Sequence, residues 1–321
     1  MNIVVLDGYA LNPGDISWQG LKALGKVTIY DRTSYTDEEE IIERIGTAQA
    51  VFTNKTQITE TILAACPTVQ YIGVLATGYN VVDCEAAAKR NIPVTNVPSY
   101  GTDAVAQFTF ALLLEIVSQV GRHNQSVHEG DWQKSKDFTY WKSPLMELSG
   151  KTIGLIGYGA IAHAVAEIAH AFQMNVIYYN HRPKQPQAAW LRQVSLDELY
   201  QEAEIISLHI PQMPETEKMI NQAAIEKMKE QVILLNTSRG GLIDESAVAQ
   251  ALDSGKLAAL GADVVSKEPI EADNPLLHAK NCYLTPHIAW APVETRERLM
   301  QIAVANFCSF LEGTIENKVN G

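Results

Sequence analysis

The stretch Lys151-Thr-Ile-Gly-Leu-Ile-Gly-Tyr-Gly-Ala-Ile-Ala162 restricts this chain more than any other. The apolar run Thr152–Ile156 reads as a buried strand, which meets Gly157-x-Gly159-x-x-Ala162 and then a helical pattern. In such an order the first glycine, Gly157, makes a tight turn. Gly159 lets the backbone approach a pyrophosphate, and Ala162 is small enough for close helix–strand packing. The N–H groups at the helix start, from Ala160 and Ile161 onward, face the anion. A further strand reading, Val176–Tyr179, delivers Asn180 close to where a ribose contact is expected. An ordinary tight turn is the alternative. The order strand, glycine turn, helix, strand, ribose reader favours a dinucleotide site.

A chain of 321 residues has room for two domains. The net charge of −12 argues against nucleic acid or an anionic membrane as partner. No apolar run reaches membrane-spanning length, and no basic-then-apolar leader precedes the first strand reading, Ile3–Leu6. Cys66, Cys84, Cys282 and Cys308 form neither a C-x-x-C pair nor a zinc spacing, which suits reduced thiols in a cytoplasmic protein.

Strand signals recur at Val27–Tyr30, Ala50–Phe52, Tyr71–Leu75 and Val94–Val97, with helical stretches around Trp18–Leu24, Asp37–Ile45, Glu60–Ala65 and Asp83–Arg90 between them. Thr36 with Glu39 fits a capping box for the second helix. A long helix is expected over Asp103–Val120, then a polar stretch holding Trp132, Phe138, Tyr140 and Trp141. After the glycine turn the alternation resumes at Ile205–His209, Val232–Asn236, Leu260–Val264 and Tyr283–Thr285, and a last helix spans Val293–Leu311. The pattern predicts an α/β fold with two doubly wound parallel-sheet domains. The second is inserted near Gly101, the last helix returns to the first, and two long helices form a hinge.

Chemistry beside a nicotinamide needs a cation for a substrate carboxylate and a proton donor. Ligands of open α/β sheets bind beyond the carboxyl ends of strands. Thr237-Ser238-Arg239 follows one strand reading, so Arg239 could grip a carboxylate with its fork of donors. Asp263 ends the next strand and could accept from a nicotinamide carboxamide; capping a loop is the alternative. Glu268 follows, and His287 lies just past the last strand. Histidine is the natural donor near neutral pH, and Glu268 would orient its charged form. Surface ion pairing for Arg239 and a structural role for His287 are the bland readings of each residue alone.

The quoted segments together resemble the D-isomer-specific 2-hydroxyacid dehydrogenase family over nearly the whole length. The match lies in Gly157-Tyr-Gly-Ala-Ile-Ala162, Asn236-Thr-Ser-Arg-Gly240, Asp263-Val264, Glu268-Pro269 and Thr285-Pro-His287. Val74-Leu-Ala-Thr-Gly-Tyr-Asn80, Tyr100-Gly-Thr-Asp-Ala-Val-Ala-Gln107, Phe138-Thr-Tyr-Trp141 and His287-Ile-Ala-Trp290 are similar to its glycerate dehydrogenase, or hydroxypyruvate reductase, branch. The resemblance implies Arg239, Glu268 and His287 as the catalytic trio. It implies a flavodoxin-like substrate domain (1–100 and 288–321), an inserted Rossmann cofactor domain (101–287) and a homodimer formed through the cofactor domains. Thr102, Thr237, Ser238, Asp263, His287 and Ala289 would contact cofactor; Leu75, Ala76, Thr77, Gly78, Arg239 and His287 would contact a small 2-oxo or 2-hydroxy acid. Trp141 would reach a neighbouring subunit's site, with a core aromatic as the alternative.

One departure concerns the cofactor, NAD or NADP. NAD-specific members usually carry Asp where this chain has Asn180, and His181 and Arg182 follow, so a 2′-phosphate would meet no repulsion and one cation. A solvent-facing Arg182 with NAD alone is the alternative. His163 and His170 share a helix face at a spacing too long for a chelate, and no metal site is expected. Hydroxypyruvate and glyoxylate are the substrates the resemblance favours, ahead of formate or phosphite. A dinucleotide-sensing, corepressor-like interaction protein on the same fold is the competing class.

Overall fold

The computed structural model describes residues 1–182 and 188–321. They form two compact units, Met1–Gly101 with Trp290–Gly321, and Thr102–Ala289. In the first unit, β1 (Asn2–Val5), β2 (Lys26–Ile29), β3 (Ala50–Thr53), β4 (Tyr71–Val74) and β5 (Val94–Thr95) alternate with α1 (Gln19–Lys22), α2 (Glu38–Ile45), α3 (Glu60–Ala65) and α4 (Cys84–Lys89). The strands pair in parallel in the order β2-β1-β3-β4-β5, a flavodoxin-like sheet. β3 and β4 are buried along their whole length, as expected for strands covered on both faces. The α2 cap is Asp37, not Thr36: its carboxylate accepts from Glu40 N–H at 3.3 Å. A carboxylate there also answers the positive end of the helix dipole.

The second unit contains α5 (Thr102–Ser118), α6 (Val120–His128), β6 (Thr152–Ile156), α7 (Ala160–Ala171), β7 (Asn175–Tyr179), β8 (Leu191–Gln193), α8 (Leu196–Glu202), β9 (Ile205–Leu208), α9 (Gln222–Lys227), β10 (Val232–Asn236), α10 (Glu245–Ser254), β11 (Leu257–Ala262) and β12 (Cys282–Leu284). All seven strands are parallel, ordered β12-β11-β10-β9-β6-β7-β8. Strand order reverses between β6 and β9, the switch point where a doubly wound sheet opens for a ligand. The last helix, α11 (Val293–Leu311), belongs to the first unit, where Phe307 is fully buried against Phe52, Tyr71 and Phe310.

Two elements differ from the sequence reading. The helix expected to reach Val120 stops at Ser118, because Gln119 adopts φ 48° and the chain restarts as α6 at a 56° bend. Edge strand β8 went unread, since Leu-Arg-Gln is too short to show a period. No single helix among the described residues is long and apolar enough to cross a membrane.

The register of the second sheet matters most for the site. Tyr179, Ile156, Leu208, Asn236, Ala262 and Leu284 lie on one continuous row of paired residues across six strands. The next residue of each strand is therefore Asn180, Gly157, His209, Thr237, Asp263 or Thr285. The glycine turn, Asn180, the Thr237–Arg239 segment, Asp263 and the Thr285–His287 segment therefore begin on the same edge, with neighbouring strands about 4.8 Å apart.

Candidate active site

Gly157 sits at φ 91°, a conformation that disfavours any side chain, and a Cβ there would stand 2.5 Å from His209 O and Ile210 Cγ2. Both constraints demand glycine. At Gly159 the opposite holds: a Cβ would meet nothing within 4 Å, so the backbone borders open space. Gly159 also caps α7 without a side-chain hydrogen bond, leaving the N–H groups at Ala160 and Ile161 on the positive end of the helix dipole. Ala162 is fully buried on the α7 face, with Val165, Ala166 and Ala169. An open cradle over Gly159 beside an uncapped helix start fits a pyrophosphate.

Asn180 stands half-buried next to this turn. Its Oδ1 accepts from Tyr158 N–H at 3.2 Å, and its Nδ2 donates to Arg182 O at 2.8 Å. The amide thus joins the glycine turn to its own loop without adding charge. His181 and Arg182 are exposed.

The loops after β10, β11 and β12 carry the expected trio. Asn236 shapes the first, accepting from Ser238 N–H at 3.1 Å and donating to Arg239 O at 2.9 Å. Ser238 Oγ donates to Leu208 O at 2.7 Å, and Thr237 Oγ1 lies 2.9 Å from Thr109 Oγ1 of α5. Arg239 is exposed, with Nη1 donating to Ser238 O at 2.7 Å. A Cβ on Gly240 would collide with the Val265 backbone, so glycine is what lets the first two loops touch. On the second, Glu268 Oε2 lies 2.7 Å from His287 Nδ1, both side chains about one-third exposed (34% and 29%), so substrate can reach the pair.

Asp263 explains how His287 is held. Its carboxylate is buried, accepting from Thr285 Oγ1 at 2.7 Å, Ile288 N–H at 2.8 Å and Ala289 N–H at 2.8 Å. Its carbonyl accepts from His287 N–H at 2.8 Å. This clasp holds His287 at φ 56°, an uncommon conformation for a non-glycine residue. Burial pushes the Asp263 carboxyl above the usual carboxylate range, against the downward pull of these hydrogen bonds. The sequence reading weighed a nicotinamide contact for Asp263 against the capping of a loop; its carboxylate grips the histidine loop.

His209 was not among the expected site residues, although it closes the strand reading Ile205–His209, and the observed strand stops one residue earlier. Nε2 lies 2.9 Å from Ser207 Oγ, and burial pushes its imidazole down to about 4. It is neutral at physiological pH beside the glycine turn. Three other histidines have structural partners: His163 lies 3.9 Å from Glu167, His170 stacks on Trp190 at 4.2 Å, and His123 Nε2 accepts from Lys142 N–H at 3.1 Å. Thr102 opens α5, and Leu75, Ala76, Thr77 and Gly78 follow β4 in the first unit. Trp141 is 66% exposed, so it is not a core aromatic.

The sequence model of "D-isomer specific 2-hydroxyacid dehydrogenase, NAD binding domain" matches residues 110–289. The chain is 54% identical over 321 residues to a hydroxypyruvate reductase of Blautia hydrogenotrophica, covering 100% of each. It is 36% identical over 283 residues to a glycerate dehydrogenase of Methylorubrum extorquens, covering 88% of each. An acyclic imino acid reductase solved with NADPH and D-Arg has a TM-score of 0.85 at 30% identity, covering 99% of this chain and 100% of that one.

The depressed His209 predicts a pH signature. Its folded value lies below the ordinary 6.5, so the unfolded chain takes up the proton first. The stability it contributes is present above about 6.5 and is lost as pH falls toward 4. Between pH 7 and pH 5 the loss from this residue is about 2 kcal/mol. Urea unfolding at both pH values should show His209→Gln losing less stability than the parent; equal losses would remove His209 from the account.

Proposed function

The chain belongs to the D-isomer-specific 2-hydroxyacid dehydrogenase family, and from that premise we propose that it reduces hydroxypyruvate to D-glycerate, and glyoxylate to glycolate. It is an NAD-dependent 2-hydroxyacid dehydrogenase, an oxidoreductase. The observation carrying the specific reading is the 2.7 Å Glu268–His287 contact between the loops after β11 and β12, next in the sheet to β10, which delivers Arg239. The full-length likeness to a hydroxypyruvate reductase supports the choice of substrate.

The residues fit a dinucleotide. Gly157, Gly159, Ala160 and Ile161 would hold the pyrophosphate, and Asn180, His181 and Arg182 the adenosine ribose. Thr102, Thr237, Ser238, Asp263 and Ala289 are assigned to the nicotinamide end. A bound nicotinamide supplies the hydride that reaches C2 of the oxo acid. Arg239 pairs with the substrate carboxylate and polarises the C2 carbonyl. With Nδ1 engaged by Glu268, His287 delivers its proton through Nε2 to the carbonyl oxygen. Oxidation reverses the path: neutral His287 takes the hydroxyl proton, and Glu268 stabilises the resulting charge. Leu75, Ala76, Thr77 and Gly78 are assigned to substrate binding. His287→Ala should lower kcat by about 10²–10⁴-fold with the Kd for reduced cofactor little changed. Near-parental turnover of hydroxypyruvate would overturn the assignment.

Cofactor choice follows from Asn180. A neutral amide does not repel a 2′-phosphate, and Arg182 stands two residues away with an exposed side chain. NADPH is accepted alongside NADH on this reading. Asn180→Asp should shift the ratio of kcat/KM values toward NADH by roughly tenfold or more, the scale of one charged hydrogen-bond partner. Parental enzyme that turns over NADH but shows no measurable rate with NADPH would contradict it.

Trp132, Phe138, Trp141 and Leu145 are exposed on the segment after α6. Their exposure supports a homodimer formed through the second unit, with Trp141 reaching the neighbour's substrate. The four free cysteines support a cytoplasmic setting. Sedimentation should give a dimer, and Trp141→Ala should raise KM for hydroxypyruvate; a monomer with full activity would dismiss both points.

A further inference from the structure

In the first unit, the turn Leu75–Gly78 has three successive carbonyls held by specific donors. Leu75 O accepts from Asn54 Nδ2 at 2.7 Å, Ala76 O from Val97 N–H at 3.0 Å, and Thr77 O from Asn96 Nδ2 at 2.7 Å. Among the described residues none accepts from the N–H of Ala76, Thr77 or Gly78. Ala76 and Gly78 are half-buried and Thr77 is exposed, so these groups border solvent. Asn54 and Asn96 are buried, at 6% and 8% exposure.

Peptide planarity links the two sets. In a trans peptide the carbonyl of one residue and the N–H of the next point in opposite directions. Holding Leu75 O therefore orients Ala76 N–H, holding Ala76 O orients Thr77 N–H, and holding Thr77 O orients Gly78 N–H. Both asparagines are themselves anchored. Asp7, buried at the end of β1, accepts from the N–H groups of Asn54 at 2.7 Å, Lys55 at 2.5 Å and Thr56 at 2.9 Å. Asn96 donates its N–H to Asn317 O at 3.2 Å, and its carbonyl accepts from Asn306 Nδ2 at 2.8 Å.

We propose that Asn54 and Asn96 are positioning residues for substrate: by holding the carbonyls of Leu75 and Thr77 inward, they present consecutive backbone N–H groups to the carboxylate of the 2-oxo acid. Successive N–H groups of this kind bind anions without a cationic side chain. The proposal rests on the reading that this turn contacts substrate. Asn54 and Asn96 touch neither substrate nor cofactor in it; they fix the polarity of the peptides that do.

The test is steady-state kinetics with hydroxypyruvate on the full-length enzyme. Asn54→Ala and Asn96→Ala should each raise KM roughly tenfold, the scale of one lost hydrogen bond, with kcat changed far less. The Kd for NADH, measured by fluorescence, should be unchanged, which also reports intact folding. If the alanine variants do not fold, Asn54→Asp keeps the shape but replaces the amide donor with a carboxylate. Its KM should be raised at neutral pH and approach the parental value as acid protonates the carboxyl, a trend that a general packing defect would not produce. A parental enzyme that works beside variants with unchanged KM overturns the proposal and leaves the function standing. A parental enzyme inert toward every 2-oxo acid overturns the function, and the proposal with it.

Discussion

Six parallel strands of the second unit end on a single hydrogen-bonded row, and the candidate site depends on that register. A one-residue slip in any strand would turn its terminal side chain to the opposite face. The glycine turn, Asn180, His209, Arg239, Asp263 and His287 come from segments spread over more than a hundred residues. They share one edge because every crossover returns the chain to the same end of the sheet. Two strands, β10 and β11, are joined still more closely where Gly240 lets its loop lie against Val265.

Buried carboxylates then fasten the loops. Asp263 holds the His287 loop through one hydroxyl and two N–H groups. Asp7 does the equivalent work in the first unit with three N–H groups of the segment after β3. Burying a carboxylate is unfavourable unless donors replace its water, and here the donors belong to the loop being held. The loop and its anchor are therefore stable only together. His287 keeps its left-handed backbone because this grip outweighs the local cost.

Much of the chemistry was legible in the chain. Gly157 and Gly159 stood between a strand and a helix, and the structure separates their duties: one is forced by a crowded positive-φ turn, the other borders open space. The placement of Arg239, Glu268 and His287 past strand readings pointed to neighbouring loops, as strands ordered β12-β11-β10 require. Other features, edge strand β8 among them, were not legible. The α2 cap moved by one residue because adjacent polar residues compete for the same N–H groups. The break at Gln119 lay one residue inside the expected helix end, where the apolar pattern gives way to polar residues and nothing in the sequence marks a left-handed backbone. The roles of Asp263 and Asn54 depend on partners far off in sequence, as in the bond from Asn54 to Leu75.

By itself, the order of residues determined the alternation of strands and helices, the parallel character of both sheets and the residue types that can move a proton or grip a carboxylate. These are local properties: apolar runs, turn formers and side-chain chemistry act over a few residues. Tertiary structure alone decided which carbonyls are held, which N–H groups are left to face solvent and which imidazole stays neutral. Those outcomes depend on burial and on donors brought across the sheets, and neither exists until the strands have paired.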